Sequence, residues 1–187
     1  MDSPALLLHV CCGPCASACV ERLLAEGRRV VLYFSNSNIV SAEEFEKRLN
    51  CVRFLAEHHH LELIVDPYDH AVWLDHVSLL DGYAACPERG ERCSLCFEWS
   101  LGRAAAEAER RGFNFCTSLT VSPHKNSAVI FGIGSRWKHF EPYDFKKKDG
   151  YKRSVELSKE YDLYRQDFCG CGFSKAERAR AKEEKNR

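Results

Sequence analysis

The chain has 187 residues, 45% hydrophobic and 29% charged, a balance that excludes a disordered or fibrous polymer and fits one globular domain with one substantial core. Its 27 basic and 27 acidic side chains cancel, so no whole-molecule field draws it to nucleic acid, and any polyanion must meet a local patch. No apolar run approaches the roughly 20 residues of a membrane span. Met1 to Pro4 leads into a strand-like segment without a signal-peptide n-region or h-region, so no membrane partner and a cytoplasmic location are expected.

"ALLLHV" is a short continuous apolar run and reads as a buried strand, and "ASACVERLLAEG" after it as a helix closed by Gly27. "RRVVLYFS" is a second strand, followed by the Asn-rich turn "SNSNI". In "SAEEFEKRLNCVRFLAEHH", Ser41 and Glu44 have capping-box spacing, and Phe45, Leu49, Val52 and Ala56 share one helical face. "LELIVD" is a third strand and "HAVWLDHVSLL" a third helix. Strand alternating with helix predicts an α/β fold over residues 1–80, a doubly wound, mostly parallel, Rossmann-like sheet. Ligands are then expected outside the carboxyl ends of its strands.

From residue 81 the pattern changes. An irregular Pro and Gly loop leads through Cys93-Ser94-Leu95-Cys96 into an amphipathic helix. "NFCTSLTV" reads as a fourth strand, followed by the loop "SPHKN", a helix from about Ser127 and another within "KKKDGYKRSVELSKEYDLY". "RQDFCGCGFS" is too rich in glycine and cysteine for a regular element, and "SKAERARAKEEKNR" is a charge-laced helix or a frayed tail. Residues 81–187 thus read as the cysteine-rich helical and loop portion of a single domain spanning 1–187.

Eleven cysteines in a chain without an export signal point to metal or redox chemistry rather than a disulfide framework. Cys11, Cys12, Cys15 and Cys19 form one cluster, Cys93 and Cys96 a second, and Cys169 and Cys171 a third. The C-x-x-C at Cys93 and Cys96 suits bidentate capture of zinc or an iron-sulfur cluster. Cys11 and Cys12 are the obvious source of two further ligands, with Cys15 able to replace either. Adjacent cysteines on an extended backbone point in opposite directions, which is awkward for a routine zinc site unless a sharp turn makes them converge. A disulfide between Cys169 and Cys171 would close a small strained ring and reduce easily, so this pair is a labile dithiol, a further metal-binding pair, or two incidental turn residues. His9 either orients a thiolate or is a satisfied core histidine. His124 and Lys125 in "SPHKN" are candidates for phosphate contact, as are Lys146, Lys147, Lys148, Lys152 and Arg153 beside Tyr143 and Tyr151. The alternative for the latter group is a solvated surface.

Taken together, "HVCCGPC", "SNSNI", "PERGERCSLC", "SLTVSPHKN", "DFKKKDGYKRS" and "YRQDFCGC" run in an order and spacing that resembles the QueH family of epoxyqueuosine reductases, from about Leu6 to Ser174. Departures are small: Gly13 stands where the family often has alanine, Ser35 and Ser37 occupy an Asn-Pro-Asn-like turn, and Gly172 follows the last cysteine where a larger residue is usual. The resemblance implies two-electron removal of the epoxide oxygen from epoxyqueuosine at the wobble position of tRNA. It also implies a 4Fe-4S cluster held by Cys11, Cys12, Cys93 and Cys96, with Cys15 an additional candidate ligand. Beside the cluster it implies either a second, mononuclear iron or a redox-active cysteine pair, and by position Cys169 and Cys171 would be that pair, capable of a disulfide. The partners implied are tRNA, through its anticodon loop, and an external electron donor.

Two other functions compete. An ATP-dependent tRNA-modifying enzyme of the related α/β class would need a glycine-rich phosphate loop after the first strand, where this chain has cysteines. A zinc-stabilised, non-catalytic RNA-binding module would use the same cysteines without electron transfer.

Overall fold

The computed structural model describes residues 4–185, so the reading of Met1 to Ser3 and of the final two residues of the tail lies outside the described residues. Four strands, β1 (Leu6–Val10), β2 (Val30–Phe34), β3 (Glu62–Val65) and β4 (Asn114–Thr117), form one sheet in the order β3-β2-β1-β4. Every pairing is parallel, with Leu8 of β1 opposite Leu32 of β2 and Cys116 of β4. Among the described residues seven helices accompany them: α1 (Gly13–Ala25), α2 (Ala42–His58), α3 (His70–Val77), α4 (Glu91–Arg111), α5 (Ser127–Gly134), α6 (Gly150–Glu160) and α7 (Gly172–Lys185). None is long and apolar enough to cross a membrane.

The two-residue period of β1 explains why the sheet is covered on both faces. Leu6, Leu8 and Val10 enter a core completed by α1 and α2, with Phe145 and Leu163 from the later chain. Leu7 points the other way, into a core with Leu101, Ala104 and Ala108 of α4 and Ile130 and Ile133 of α5. A central strand buried on both sides reads as a continuous apolar run, as "LLLHV" does. Each fully buried leucine there contributes about 1.5–3 kcal/mol.

Several element boundaries differ from the sequence expectation. α1 begins at Gly13 rather than Ala16, with Cys12 as N-cap residue and Pro14 in its first turn, where a missing N–H costs nothing. The Cys93–Cys96 pair is inside α4, which starts at Glu91 behind the N-cap Gly90. β4 stops at Thr117, and Ser118–Val121 is a single 3-10 turn. There the Thr117 Oγ1 accepts the Leu119 N–H at 3.2 Å, a local bond that competes with the ladder. At the other end, α7 takes in Gly172, Phe173 and Ser174. Ser41 caps α2 as expected, its Oγ accepting the Glu44 N–H at 3.2 Å, but the Glu44 carboxylate does not complete the box. It turns instead to Arg48, one helical turn on, at 2.7 Å.

That Arg48 guanidinium, 2% exposed, ties α2 to the distant Cys169-Gly170-Cys171 segment. Its Nη1 donates to the Cys169 carbonyl at 2.8 Å and its Nη2 to the Phe168 carbonyl at 3.4 Å. Gly170 then passes close by at φ +147°, a conformation that glycine adopts freely, and a β-carbon there would lie 3.2 Å from Arg48 Nη1 and 3.1 Å from Asn38 Nδ2. The Gly170 carbonyl accepts the Val40 N–H at 3.0 Å. Replacing Arg48 by Met strands the Glu44 carboxylate and two carbonyls, so stability is expected to fall by about 3–5 kcal/mol. The urea midpoint reports this loss, and in metal-free protein the Cys169 thiol should react faster with a maleimide. An unchanged midpoint and an unchanged rate would contradict the clamp.

Candidate metal centre

β1 ends at Val10 and the chain bends at once into α1, at the carboxyl edge of the sheet. Cys12 is extended, at φ −169° and ψ 160°, and Cys15 is already in the first helical turn. The bend overcomes the divergence of neighbouring strand side chains: the Sγ atoms of Cys11, Cys12 and Cys15 all lie within 4.8 Å of one another. Ser118, just past β4, fixes Cys11 by accepting its N–H at 3.1 Å and placing its hydroxyl 3.4 Å from the sulfur. Next door, the Asn36 side chain of the turn after β2 donates to the Val10 carbonyl at 2.8 Å.

The other motif cysteines meet beside this triad. Cys93 and Cys96, three residues apart on α4, share a helix face. With Cys169 and Cys171 they line a cavity of about 620 Å³, together with Trp73 and Lys125. A second cavity, of about 490 Å³, is lined by Cys11, Cys15, Cys169, Lys125 and Gln166, with Arg178 among the cations at its wall. Cys169 and Lys125 line both, so the two sulfur groups adjoin there.

A second buried guanidinium holds the α4 side. Arg92 donates to the carbonyls of Tyr83 and Cys86, the former at 2.8 Å, and its guanidinium carbon sits 4.3 Å from the Phe173 ring centre of α7. Further along α4, the Asp66 carboxylate at the end of β3 accepts the Ser35 hydroxyl at 2.7 Å and Arg103 Nη2 at 2.6 Å. These bonds cross long sequence separations and fix the helices that carry the thiols.

The thiols share charge unequally. Hydrogen bonds with Cys11 and Cys15 hold Cys12 well below the ordinary thiol range, with Arg48 and Gln166 acting in the same direction against burial. The same sulfur contacts push Cys15 well up, and the bond to Cys12 raises Cys11. Burial drives Cys93 up to about 11 and Cys96 well above its usual value, and in both cases Cys169 and Cys171 add to the rise. Burial alone would lower the Lys125 ammonium, but the surrounding thiols of Cys169, Cys11, Cys15 and Cys12 outweigh it and keep it charged.

Donors are aimed at the sulfurs. Cys93 Sγ accepts the Arg89 backbone N–H at 3.2 Å, and Cys171 Sγ accepts that of Ser174 at 3.5 Å. The Gln166 side chain faces Cys12, and Trp73 packs against Cys96 with its indole N–H unpartnered. Every cysteine is a free thiol. A donor set made of sulfur alone, gathered at strand ends and dressed with N–H and O–H groups, fits a soft metal ion or an iron-sulfur cluster and not a hard oxygen-seeking cation.

Other candidates from the sequence fare differently. His9 is a satisfied core histidine: Nε2 donates to the Ser35 carbonyl at 3.2 Å, and Nδ1 accepts from the Thr117 hydroxyl at 2.9 Å. His124 accepts from Arg89 at 3.0 Å, and both residues line the two cavities. In the basic stretch, Lys146 Nζ is committed to the carbonyls of Lys125 and Ser122, and Arg153 to Glu21 at 2.7 Å. Tyr143 stacks on Phe145 at 5.2 Å and accepts from Arg28 at 2.8 Å. Lys147, Lys148, Tyr151 and Lys152 remain exposed. Sequence reasoning missed Arg48, Arg92, Trp73 and Gln166. For Arg48 alone a signal exists, the Glu44–Arg48 spacing of one helical turn.

The model of one protein family, described as epoxyqueuosine reductase QueH, matches residues 6–177. Three relatives of that description illustrate the breadth of the match. The protein of Streptococcus pyogenes serotype M1 is 37% identical over 91% of this chain and 70% of its own length. That of Acinetobacter baylyi is 36% identical over 90% and 79%. That of Thermotoga maritima is 34% identical over 92% and 91%. The match runs through β1, the Cys93–Cys96 helix and the Cys169-Gly170-Cys171 clamp alike, and this chain belongs to the epoxyqueuosine reductase QueH family.

Proposed function

We propose that this chain reduces epoxyqueuosine in tRNA to queuosine, working through an iron-sulfur centre held by its strand-end cysteines. The observation that carries the reading is the cavity of about 620 Å³ walled by Cys93, Cys96, Cys169 and Cys171 and adjoining the Cys11–Cys12–Cys15 triad. A space of that size suits one modified base with its substituent. Cys11, Cys12, Cys93 and Cys96 are the proposed ligands of a 4Fe-4S cluster. Cys15 supplies one more sulfur, toward the cluster or toward a second, mononuclear iron beside it.

Turning an epoxide into an alkene consumes two electrons and two protons, breaks both carbon–oxygen bonds and releases the oxygen as water. When bound, the metal centre supplies electrons at low potential and a Lewis-acidic iron for the oxygen, chemistry that no side chain offers. The protein's own groups do the rest. Lys125, charged and set between the two cavities, places a positive charge where the oxygen gains electron density. Cys169 and Cys171, held at a fixed approach by Arg48, form the proposed redox pair, passing electrons from an external donor. The wobble nucleotide, already in a loop, unstacks into the cavity at modest cost. Exposed Lys147, Lys148 and Lys152, with Tyr151, Arg165 and Arg178 at the second cavity, are the proposed contacts to the neighbouring anticodon-loop backbone. A cytoplasmic setting, where thiols stay reduced and tRNA is at hand, accompanies the reading.

Assay of epoxyqueuosine loss from tRNA, with a chemical reductant and anaerobic protein, tests the assignment. Cys93→Ser is expected to lose bound iron and turnover together. Cys169→Ser is expected to keep its iron and fold but lose turnover by at least about 100-fold, the scale of removing an essential reacting group. A Cys169→Ser protein as active as wild type would remove Cys169 from the reaction, and wild-type protein that binds tRNA without consuming epoxyqueuosine would return the chain to the zinc-stabilised RNA-binding reading. Separately, the triple change Lys147→Ala, Lys148→Ala and Lys152→Ala should weaken tRNA binding and flatten its log–log salt dependence by about 2–3. An unchanged slope would place the phosphates elsewhere.

A further inference from the structure

Trp73 is the largest of the fully buried side chains, 1% exposed, yet its indole nitrogen has no hydrogen-bond partner. A buried N–H with no acceptor is costly and rare. The Trp73 ring stacks on His70 at 5.2 Å and packs with Val77, Cys171 and Cys96, along the wall of the larger cavity. Among these neighbours Cys96 is a proposed cluster ligand, and burial penalises its unassisted thiolate. Gln166 repeats the arrangement at the other sulfur group. Its amide is turned toward Cys12, and its Oε1 is buried with no donor. A ligand sulfur that gains charge when a metal centre is bound gives the Trp73 N–H the acceptor it lacks.

We propose that Trp73 is a positioning residue for electron transfer, its indole N–H donating to the Cys96 sulfur and raising the reduction potential of the centre that this sulfur ligates. The inference rests on the iron-sulfur reading above and adds a role outside the ligand set. A reduced cluster carries one more negative charge than the oxidised one, and the charge spreads onto the ligand sulfurs. A fixed N–H dipole pointing at a sulfur therefore favours the reduced form. Because Trp73 is 1% exposed, a phenylalanine ring in its place fills the position of the indole N–H and supplies no donor.

The test is a potentiometric titration of anaerobically purified protein, followed by visible absorbance and by the electron paramagnetic resonance of the reduced form. Trp73→Phe keeps an aromatic ring on His70 and removes the N–H. Its midpoint is expected to move to more negative potential with iron content unchanged. Trp99→Phe is the control, since Trp99 Nε1 also has no hydrogen-bond partner but its ring lines a separate cavity, with His76 and Arg103 and without a cysteine. Its midpoint should stay at the wild-type value. If Trp73→Phe does not fold, β-(3-benzothienyl)alanine at position 73 decides the matter, because it preserves the bicyclic shape and exchanges N–H for sulfur. A midpoint equal to wild type in whichever of these variants holds its cluster overturns the proposal and leaves Trp73 as packing. Wild-type protein with no cluster to titrate would instead overturn the iron-sulfur reading itself, a different and recognisable result.

Discussion

The functional end of this molecule depends on a buried guanidinium. Arg48 is held by Glu44 at 2.7 Å, and Glu44 in turn accepts the Tyr164 hydroxyl at 2.9 Å, so the carboxylate that balances the charge is itself satisfied. From that anchored position Arg48 grips the carbonyls of Phe168 and Cys169. An ion pair in such a place adds little net stability over a well-packed apolar pair, but losing one partner is severe. Its value is geometric. It fixes a glycine-rich segment that has no regular structure of its own against a helix more than a hundred residues earlier, and thereby brings Cys169 and Cys171 to the cysteines at the sheet edge.

Around that clamp the physical chemistry is consistent at each level. Parallel strands leave their carboxyl ends open, and the bend from β1 into α1 turns three thiols inward at that edge. Burial raises most of the thiols, while N–H groups and the Lys125 ammonium pull toward the ionised form. Such a site resists holding several bare thiolates and becomes favourable once a cation neutralises them, which is the behaviour of a metal-binding pocket. The cavity beside it is large enough for a base and its substituent, and its wall includes the thiols. Reacting group and electron source would then be in contact rather than joined by a long relay.

Much of the fold was legible because it rests on local rules. The apolar run of β1, the two-residue alternation and the helical faces all follow from short-range periodicity, and Gly27 closes α1 at φ +70° as a terminating glycine should. Boundaries failed where a local cue outweighed the broader pattern. Cys12-Gly13-Pro14 has the look of a loop, although Pro14 is a helix-starting residue in that position. Cys93 and Cys96 read as a turn because the helix start, set by Gly90, lies only two residues upstream of Cys93. The three cysteine clusters were legible in the sequence, and the fold brings Cys11, Cys12 and Cys15 together and sets Cys93, Cys96, Cys169 and Cys171 around one cavity. The groups that hold and tune this site were not legible. Arg48 looks like half of a surface helix pair, and Trp73 like an ordinary core aromatic, until chain separations of 23 residues (Trp73 to Cys96) to 121 (Arg48 to Cys169) are closed by the fold.

The central claim is that these cysteines hold an iron-sulfur centre used on a tRNA base. Its most direct test is a single anaerobic preparation of the wild-type protein. Iron and acid-labile sulfide are counted per chain, and the reduced protein is mixed once, in stoichiometric amount and without further reductant, with tRNA containing epoxyqueuosine. The account predicts a brown protein with about four irons and as many sulfides, beyond any iron at a second site. It also predicts conversion of the modified base in step with oxidation of the protein. Colourless protein carrying only zinc, or a reduced cluster that persists while the epoxide is untouched, would contradict it.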